Sequence, residues 1–251
     1  MEMRGMMGGF YKISEWIMRL AVTNLLWVIC SLPVAFLLLT SLMSKNAGEV
    51  YSWLVLTLIV SPFTLFPATS AMFAVARKWV MGEVDAPLFK TFFRGYKQNY
   101  VQSMVGGILY ALLFIIMVVD FRVYLAEPNL QLISYIFIGL MILLSISLFN
   151  FFSMVVHYHM KTMQLLKNAV LITIGRPLRS LSTAIVSGVI LYISFYKFTF
   201  LIPFFMGSII AYFSFWNFYM VYQKIQSQME KDEAAAEEDP LDEDLTESTK
   251  K

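Results

Sequence analysis

From Leu20 to Leu42 the chain carries no charged side chain, and comparable uncharged runs recur from Tyr51 to Ala76, Val101 to Val119 and Leu132 to Val156. At about 1.5 Å of rise per residue, about 20 helical residues cross an apolar core of about 30 Å, and these runs have about that length or more. In hydrocarbon each backbone N–H and C=O must find its partner inside the segment, so the runs are expected to be helices. The charges lie between them. Apart from Lys45, Arg122 and Lys197, the nineteen Lys and Arg fall in four stretches: Arg4 to Arg19, Arg77 to Lys97, Lys161 to Arg179 and Lys224 to Lys251. Lys and Arg are retained on the cytoplasmic side during insertion, so the alternation reads as six spans in the cell membrane with both termini cytoplasmic.

Composition agrees. Apolar residues make up 59% of the 251 and charged ones 14%, with a mean hydropathy of +0.67, against roughly 45–50% and about 25% in soluble domains. Most Asp and Glu fall after Met229, which leaves a basic membrane domain, residues 1–229, and an acidic tail, residues 230–251. The tail lacks aromatics and is expected to be disordered and cytoplasmic. The basic groups flank spans, where the anionic leaflet is the nearer counter-charge, so the bilayer and not nucleic acid is the expected partner. Cys30, the single cysteine, excludes an internal disulfide and a cysteine metal cluster. The first uncharged run is too long for the apolar region of a cleavable signal and lacks a small-residue cleavage site, so it is expected to stay in the mature chain.

Along the chain, residues 8–20 place Phe10, Ile13, Trp16, Ile17 and Leu20 on one helical face with Lys12, Glu15 and Arg19 opposite, the pattern of an interfacial helix. Pro33 falls near the middle of span one, and Pro62 and Pro67 predict a bend in span two, because each removes a helical hydrogen bond. In the first inner loop Phe89, Phe92, Phe93, Tyr96 and Tyr100 share about a third of a helical wheel, beside Lys90, Arg94 and Lys97. A second interfacial helix is expected there. Gly106 and Gly107 predict close helix contact in span three. The second inner loop is helix-like until Gly175-Arg176-Pro177. Leu181 to Tyr222, interrupted only by Lys197, is too long for one crossing and divides into spans five and six at a turn around Tyr196 to Thr199. The fold class is therefore all-α, a polytopic bundle of six transmembrane helices with interfacial helices at the N-terminus and in the first inner loop.

Catalytic signals are sparse. No Asp, Glu, Lys, Arg or His lies deep in a span except Lys197 at a turn, which disfavours a proton-coupled pump. His157 and His159 lie two residues apart, about 200° on a helix, with no third His or a second Cys to complete a metal site. Neither G-x-S-x-G nor a Walker-type glycine loop occurs, so no enzyme activity and no cofactor are expected. The Glu-Ala-Ala string at Glu233 lies in the tail and not in an inner loop, unlike the coupling loop of ATP-driven sugar permeases. Asn24, Asn150 and Asn217 sit four to six residues from the cytoplasmic ends of spans one, four and six, roughly 6–9 Å deep. They form a candidate polar layer, either a cytoplasm-facing binding site or interhelical hydrogen bonding, and the latter reading leads.

Several segments together resemble one family: Asn24-Leu25-Leu26-Trp27; Phe66-Pro67-Ala68-Thr69-Ser70-Ala71 followed by Arg77-Lys78-Trp79 and Gly82-Glu83; the aromatic stretch from Phe89 to Tyr96; and Leu166-Lys167-Asn168-Ala169 before Arg176-Pro177-Leu178. Over about residues 5–225 the chain looks like the YesL family of bacterial multi-pass membrane proteins, found mostly in Gram-positive organisms. The family has no established biochemical activity, and its members are often encoded beside two-component regulators and ATP-driven oligosaccharide importers. The resemblance implies a role near carbohydrate uptake, with an ATP-driven sugar importer or a two-component sensor as partner, and brings no catalytic residues with it. The expectation is a non-enzymatic accessory or regulatory protein that uses Arg77, Lys78, Trp79, Phe89, Lys90, Arg94 and Lys97 at the interface or toward a partner. The alternative is a small-solute carrier of sugar type.

Overall fold

The computed structural model describes residues 6–238, and every regular element in them is helical. The helices are α1 (Met6–Cys30), α2 (Leu32–Met43), α3 (Ala47–Val60), α4 (Leu65–Val80), α5 (Leu88–Ala126), α6 (Gln131–His157), α7 (Thr162–Gly175), α8 (Pro177–Tyr196) and α9 (Gly207–Glu238). Five helical segments are long and apolar enough to span a membrane, and the bent pair α3–α4 passes the same test when taken together, which makes five or six candidate spans among the described residues. The protein is an all-α polytopic membrane bundle. Its periphery is covered by exposed apolar side chains such as Phe36, Leu132, Ile185 and Phe195, the surface that lipid tails would meet.

Three expectations are revised by helix continuity. The N-terminal amphipathic segment and the start of span one form a single helix, α1, so no separate interfacial helix precedes the span. The break comes instead at Ser31, whose Oγ donates to Trp27 O at 2.6 Å, just before Pro33. Proline has no N–H to give the preceding turn and disfavours helical backbone in the residue before it. The second revision concerns the first inner loop. The aromatic and basic segment beginning at Phe89 is the opening of the 39-residue α5, about 58 Å long at the usual rise, which outreaches the bilayer core and projects past it. The third concerns the tail: α9 runs to Glu238, past the expected boundary at residue 230, and the rest of the tail, 239–251, lies outside the described residues.

The bend in span two is present. The chain passes from α3 through a tight turn at Ser61–Phe63 that contains Pro62, and α3 and α4 differ in direction by 51°. Pro67 sits in the first turn of α4, where a missing N–H costs little. The last turn of α4 closes on Gly82 at φ 90°, the one positive φ among the described residues. Glu83 N donates to Lys78 O at 2.9 Å and Gly82 N to Trp79 O at 3.1 Å, a glycine-terminated helix end that turns the chain sharply toward α5.

Close packing centres on α4, α5, α6 and α9, around Phe73, Phe92, Phe151, Phe215 and Phe218. A Cβ added to Gly106 would lie 2.1 Å from Phe151 Cζ, and one on Gly107 would lie 2.7 Å from Phe66 Cγ, so these glycines admit the aromatic rings as the sequence predicts. One end of the bundle collects the C-terminus of α4, the N-terminus of α5, the C-terminus of α6 and the middle turns of α9. His157 lies 4.4 Å from the Tyr222 ring there, centroid to centroid. This end carries the inner-loop basic residues and is called the basic end below.

Candidate functional site

Three helices leave a recess at the basic end. Ala74, Arg77 and Lys78 line it from α4, and Thr91, Arg94, Gly95, Gln98, Asn99 and Gln102 from α5. The third wall is the end of α6 and the chain beyond it, Val155 to His159. Arg94, Gln98 and Gln102 recur every fourth residue and so share one face of α5. The hollow measures ≈ 430 Å³, and no carboxylate lines it. Arg77 Nε donates to His157 Nδ1 at 3.4 Å. The imidazole is boxed by Tyr158, Phe218 and Tyr222. Gln102 Nε2 donates to Met160 O at 2.6 Å, which fixes the chain leaving α6 as the opposite lip. Because α6 ends at His157 and Tyr158 is extended, His157 and His159 do not continue on one helix. Among the described residues no three His, Cys, Asp or Glu side chains gather as a metal site.

Of the residues read from the sequence as interfacial or partner-binding, Arg77, Lys78 and Arg94 line the recess. Lys78 also pairs with Glu83. Phe89, Lys90 and Lys97 are exposed outside it. Trp79 is corrected to a core residue: it is 4% exposed and packs edge-on to Trp16 at 5.6 Å. Phe92 is likewise buried, and Tyr100 OH donates to Phe63 O at 3.1 Å, so the aromatic sector is divided between protein and surroundings. The helical wheel gave the faces of α5 without showing that α4 covers one of them.

The three asparagines do not share one layer. Asn24 Nδ2 donates to Ile202 O at 2.9 Å and Pro203 O at 2.7 Å, while its Oδ1 accepts from Ser208 N at 3.0 Å. It bridges a wide helical turn, Ile202–Met206, where Pro203 cannot supply an N–H. Asn217 lies nine residues beyond Ser208 on α9, about 13 Å along the axis. Its Nδ2 donates to Thr183 Oγ1 at 3.1 Å, and its Oδ1 accepts from Arg179 at 3.3 Å. Asn150 Nδ2 donates to Thr173 Oγ1 at 2.9 Å. Asn150 and Asn217 do line a common gap, but its ≈ 10 Å³ is the space of about one water and not of a solute. Asn24 departs from the expected depth because α1 begins well before Leu20.

Sequence reasoning missed Arg19. Expected on a polar outer face, it is 6% exposed and donates to Val84 O, Glu15 and Asp85, the last at 2.9 Å. It therefore clamps the α4–α5 loop to α1. The i,i+4 spacing of Glu15 and Arg19 was the available signal; the loop that bends back onto them was not visible.

The fold and recess define a class: an all-α membrane bundle with a basic, amide-rich hollow at one end. Residues 20–121 match the family described as "Protein of unknown function, DUF624". The chain is 27% identical over 227 residues to "Uncharacterized protein YesL" of Bacillus subtilis (strain 168), covering 90% of this chain and 96% of that protein. It is 29% identical over 234 residues to "Uncharacterized protein YteU" of the same strain, covering 90% of each. A third relative, "Uncharacterized protein YesV", is 29% identical over 218 residues, covering 84% of this chain and 98% of that protein. The chain is thus similar to these three proteins along most of its length. No solved structure matches it. Several residues that carry the resemblance join helices: Trp27 Nε1 donates to Thr69 Oγ1 at 3.0 Å, and Ser70 and Ser103 share a hydrogen bond of 3.2 Å.

Proposed function

We propose that this chain is a non-enzymatic accessory or regulatory component of a cell-membrane assembly, oriented with its basic end and both termini in the cytoplasm. Its setting is carbohydrate uptake or sensing, as the family resemblance implies, and its partner is an ATP-driven sugar importer or a two-component sensor. The observation that carries the accessory role over the carrier is the floor of the recess. About one turn below His157 and Arg77, the large rings of Phe73, Phe151 and Phe152 fill the bundle at 2% exposure or less. A small-solute carrier needs a polar route at that depth, and close-packed aromatics are a poor one. The exposed Lys90 and Lys97, on the same helix as Arg94, offer a charged surface to a partner.

Two experiments test this. With Cys30 replaced, single cysteines at Lys90 and Lys167 should be shielded from impermeant external reagent, while those at Lys45, Arg122 and Lys197 should label. External labelling at Lys90 would reverse the orientation. Tagged chain purified from its native membrane should retain a transporter or sensor subunit in fixed stoichiometry, and Lys90→Glu with Lys97→Glu should weaken that association. Flux of a labelled sugar through liposomes containing this chain alone would overturn the accessory role in favour of the carrier.

A further inference from the structure

A surface that only holds a basic membrane end against an anionic leaflet needs cations pointing outward, as Lys90 and Lys97 do. The recess is built differently. Arg77 in the last turns of α4 and Arg94 in the second turn of α5 both line one concave hollow. Neither arginine is in an ion pair among the described residues, whereas the third cation, Lys78, is held by Glu83. Two arginines facing one hollow without a carboxylate repel each other, an arrangement that an anion between them relieves. The other polar donors are amides, Gln98, Asn99 and Gln102, which offer N–H groups without adding charge. The contact with His157 restrains the Arg77 side chain before any ligand arrives, which lowers the ordering cost of binding.

Guanidinium forks match the oxygens of phosphate, and a pair of them with neutral amides beside is a phosphate-recognition chemistry. The volume of ≈ 430 Å³ falls in the range of small-molecule sites, roughly 300–1,000 Å³. We propose, resting on the reading of the basic end as the working surface, that this recess binds the phosphate group of a small anion between Arg77 and Arg94. The amides take the polar body attached to it. Two sources supply that chemistry: a soluble phosphorylated solute, and the headgroup of an anionic phospholipid reaching in from the leaflet. Bound there, the anion offsets the charge of Arg77 and Arg94 and ties α4 to α5, which is a means of regulating what docks on Lys90 and Lys97.

The test uses the full chain in neutral detergent and in nanodiscs, with the unfolding midpoint as readout. In detergent the probe is inorganic phosphate against chloride at equal ionic strength; in nanodiscs it is phosphatidylcholine with and without phosphatidylglycerol. A ligand that binds the folded state alone raises the midpoint. The expected result is a rise with at least one probe whose half-saturation increases tenfold or more in Arg94→Gln and in Arg77→Gln. Lys97→Gln, outside the recess, should titrate as the parent does. Arg94 is exposed, so its variant should fold, with an unliganded midpoint at or slightly above the parent's because the repulsion is relieved, and it serves alone if Arg77→Gln is unstable. A response to phosphate in detergent assigns the soluble source, and one confined to phosphatidylglycerol assigns the headgroup. No rise with either probe, or equal rises in parent, Arg94→Gln and Lys97→Gln, would overturn the site. Retention of a partner that depends on Lys90 and Lys97 is measured separately, so loss of the anion site and loss of the accessory role are distinguishable.

Discussion

The two flanks of α6 are built from the same residue types and solve different problems. On one flank α5 lies so close that Gly106 faces the Phe151 ring, and Tyr110 donates or accepts one hydrogen bond with Ser147 at 2.8 Å in a buried position. On the other, α7 packs along α6 but α8 stands away from it, and an apolar hollow of ≈ 750 Å³ opens where α7 passes into α8, lined by Ile136, Gly139, Leu143, Ile174 and Leu181. Gly139 has nothing within 4 Å of an added Cβ. Polar bonds secure this looser flank: Ser180 Oγ donates to Thr173 O at 2.7 Å, and Asn217 reaches Thr183 and Arg179. Lipid tails are as apolar as leucine, so helices in a bilayer gain little from apolar burial as such. Tight shape fit or directed hydrogen bonds must hold them instead: the α5 flank relies mainly on fit, with the Tyr110–Ser147 bond added, and the α8 flank on hydrogen bonds.

The contrast is broken most directly at the glycines. Gly106→Ala should destabilise the protein by about 3 kcal/mol, the upper part of the range for overpacking, because the buried Phe151 ring has nowhere to move. Gly139→Ala, in open space on the other flank, should change stability by less than about 0.5 kcal/mol. Equal effects in a denaturant titration in detergent would mean that the flanks are packed alike.

A smaller effect is expected at the clamp between α1 and the α4–α5 loop. Arg19→Gln should cost about 2 kcal/mol through loss of charged hydrogen bonds, and protease cleavage should increase between Met81 and Pro87. Asp85, whose side chain is 97% exposed, contributes only a screened share, so Asp85→Asn should cost under about 1 kcal/mol. If Asp85→Asn matched Arg19→Gln, the clamp would act through the ion pair and not through Val84 O.

Least costly are the amides, at about 1 kcal/mol each for Asn24→Leu and Asn217→Leu. Their effects should add, since they share no partner and their contacts lie about 13 Å apart along α9. Asn150→Leu with Asn217→Leu should depart from additivity, because these two border one small gap. Loss of Asn217 should also raise hydrogen exchange in α8 and not in α5, separating the flank held by bonds from the flank held by fit.

Much of the architecture was legible in residue order. Uncharged runs gave the apolar segments, although the first, Leu20 to Leu42, is two helices parted at Ser31; Pro62 and Pro67 gave the bend, which falls at Pro62; and Gly175-Arg176-Pro177 gave the stop between α7 and α8. Boundaries failed where a polar pattern continued a membrane helix: the turns before Leu20 and before Val101 are amphipathic, but nothing local stops them, so α1 and α5 simply begin earlier. The site was half legible. Arg77, Lys78 and Arg94 were singled out for charge and position, yet the sequence could not divide them from Lys90 and Lys97 outside, or from Trp79 in the core.

Periodicity and charge are properties of one helix and of its order in the chain, and they determined by themselves that this is a multi-pass helical bundle with its basic groups gathered at one end. Which face of each helix meets protein and which meets lipid was decided only in the tertiary structure, because both environments accept the same apolar side chains. Packing alone turned Arg19 inward onto Val84, carried Asn24 to the proline-broken turn of Ile202–Met206, and set Arg77 and Arg94, seventeen residues apart in the chain, on one recess.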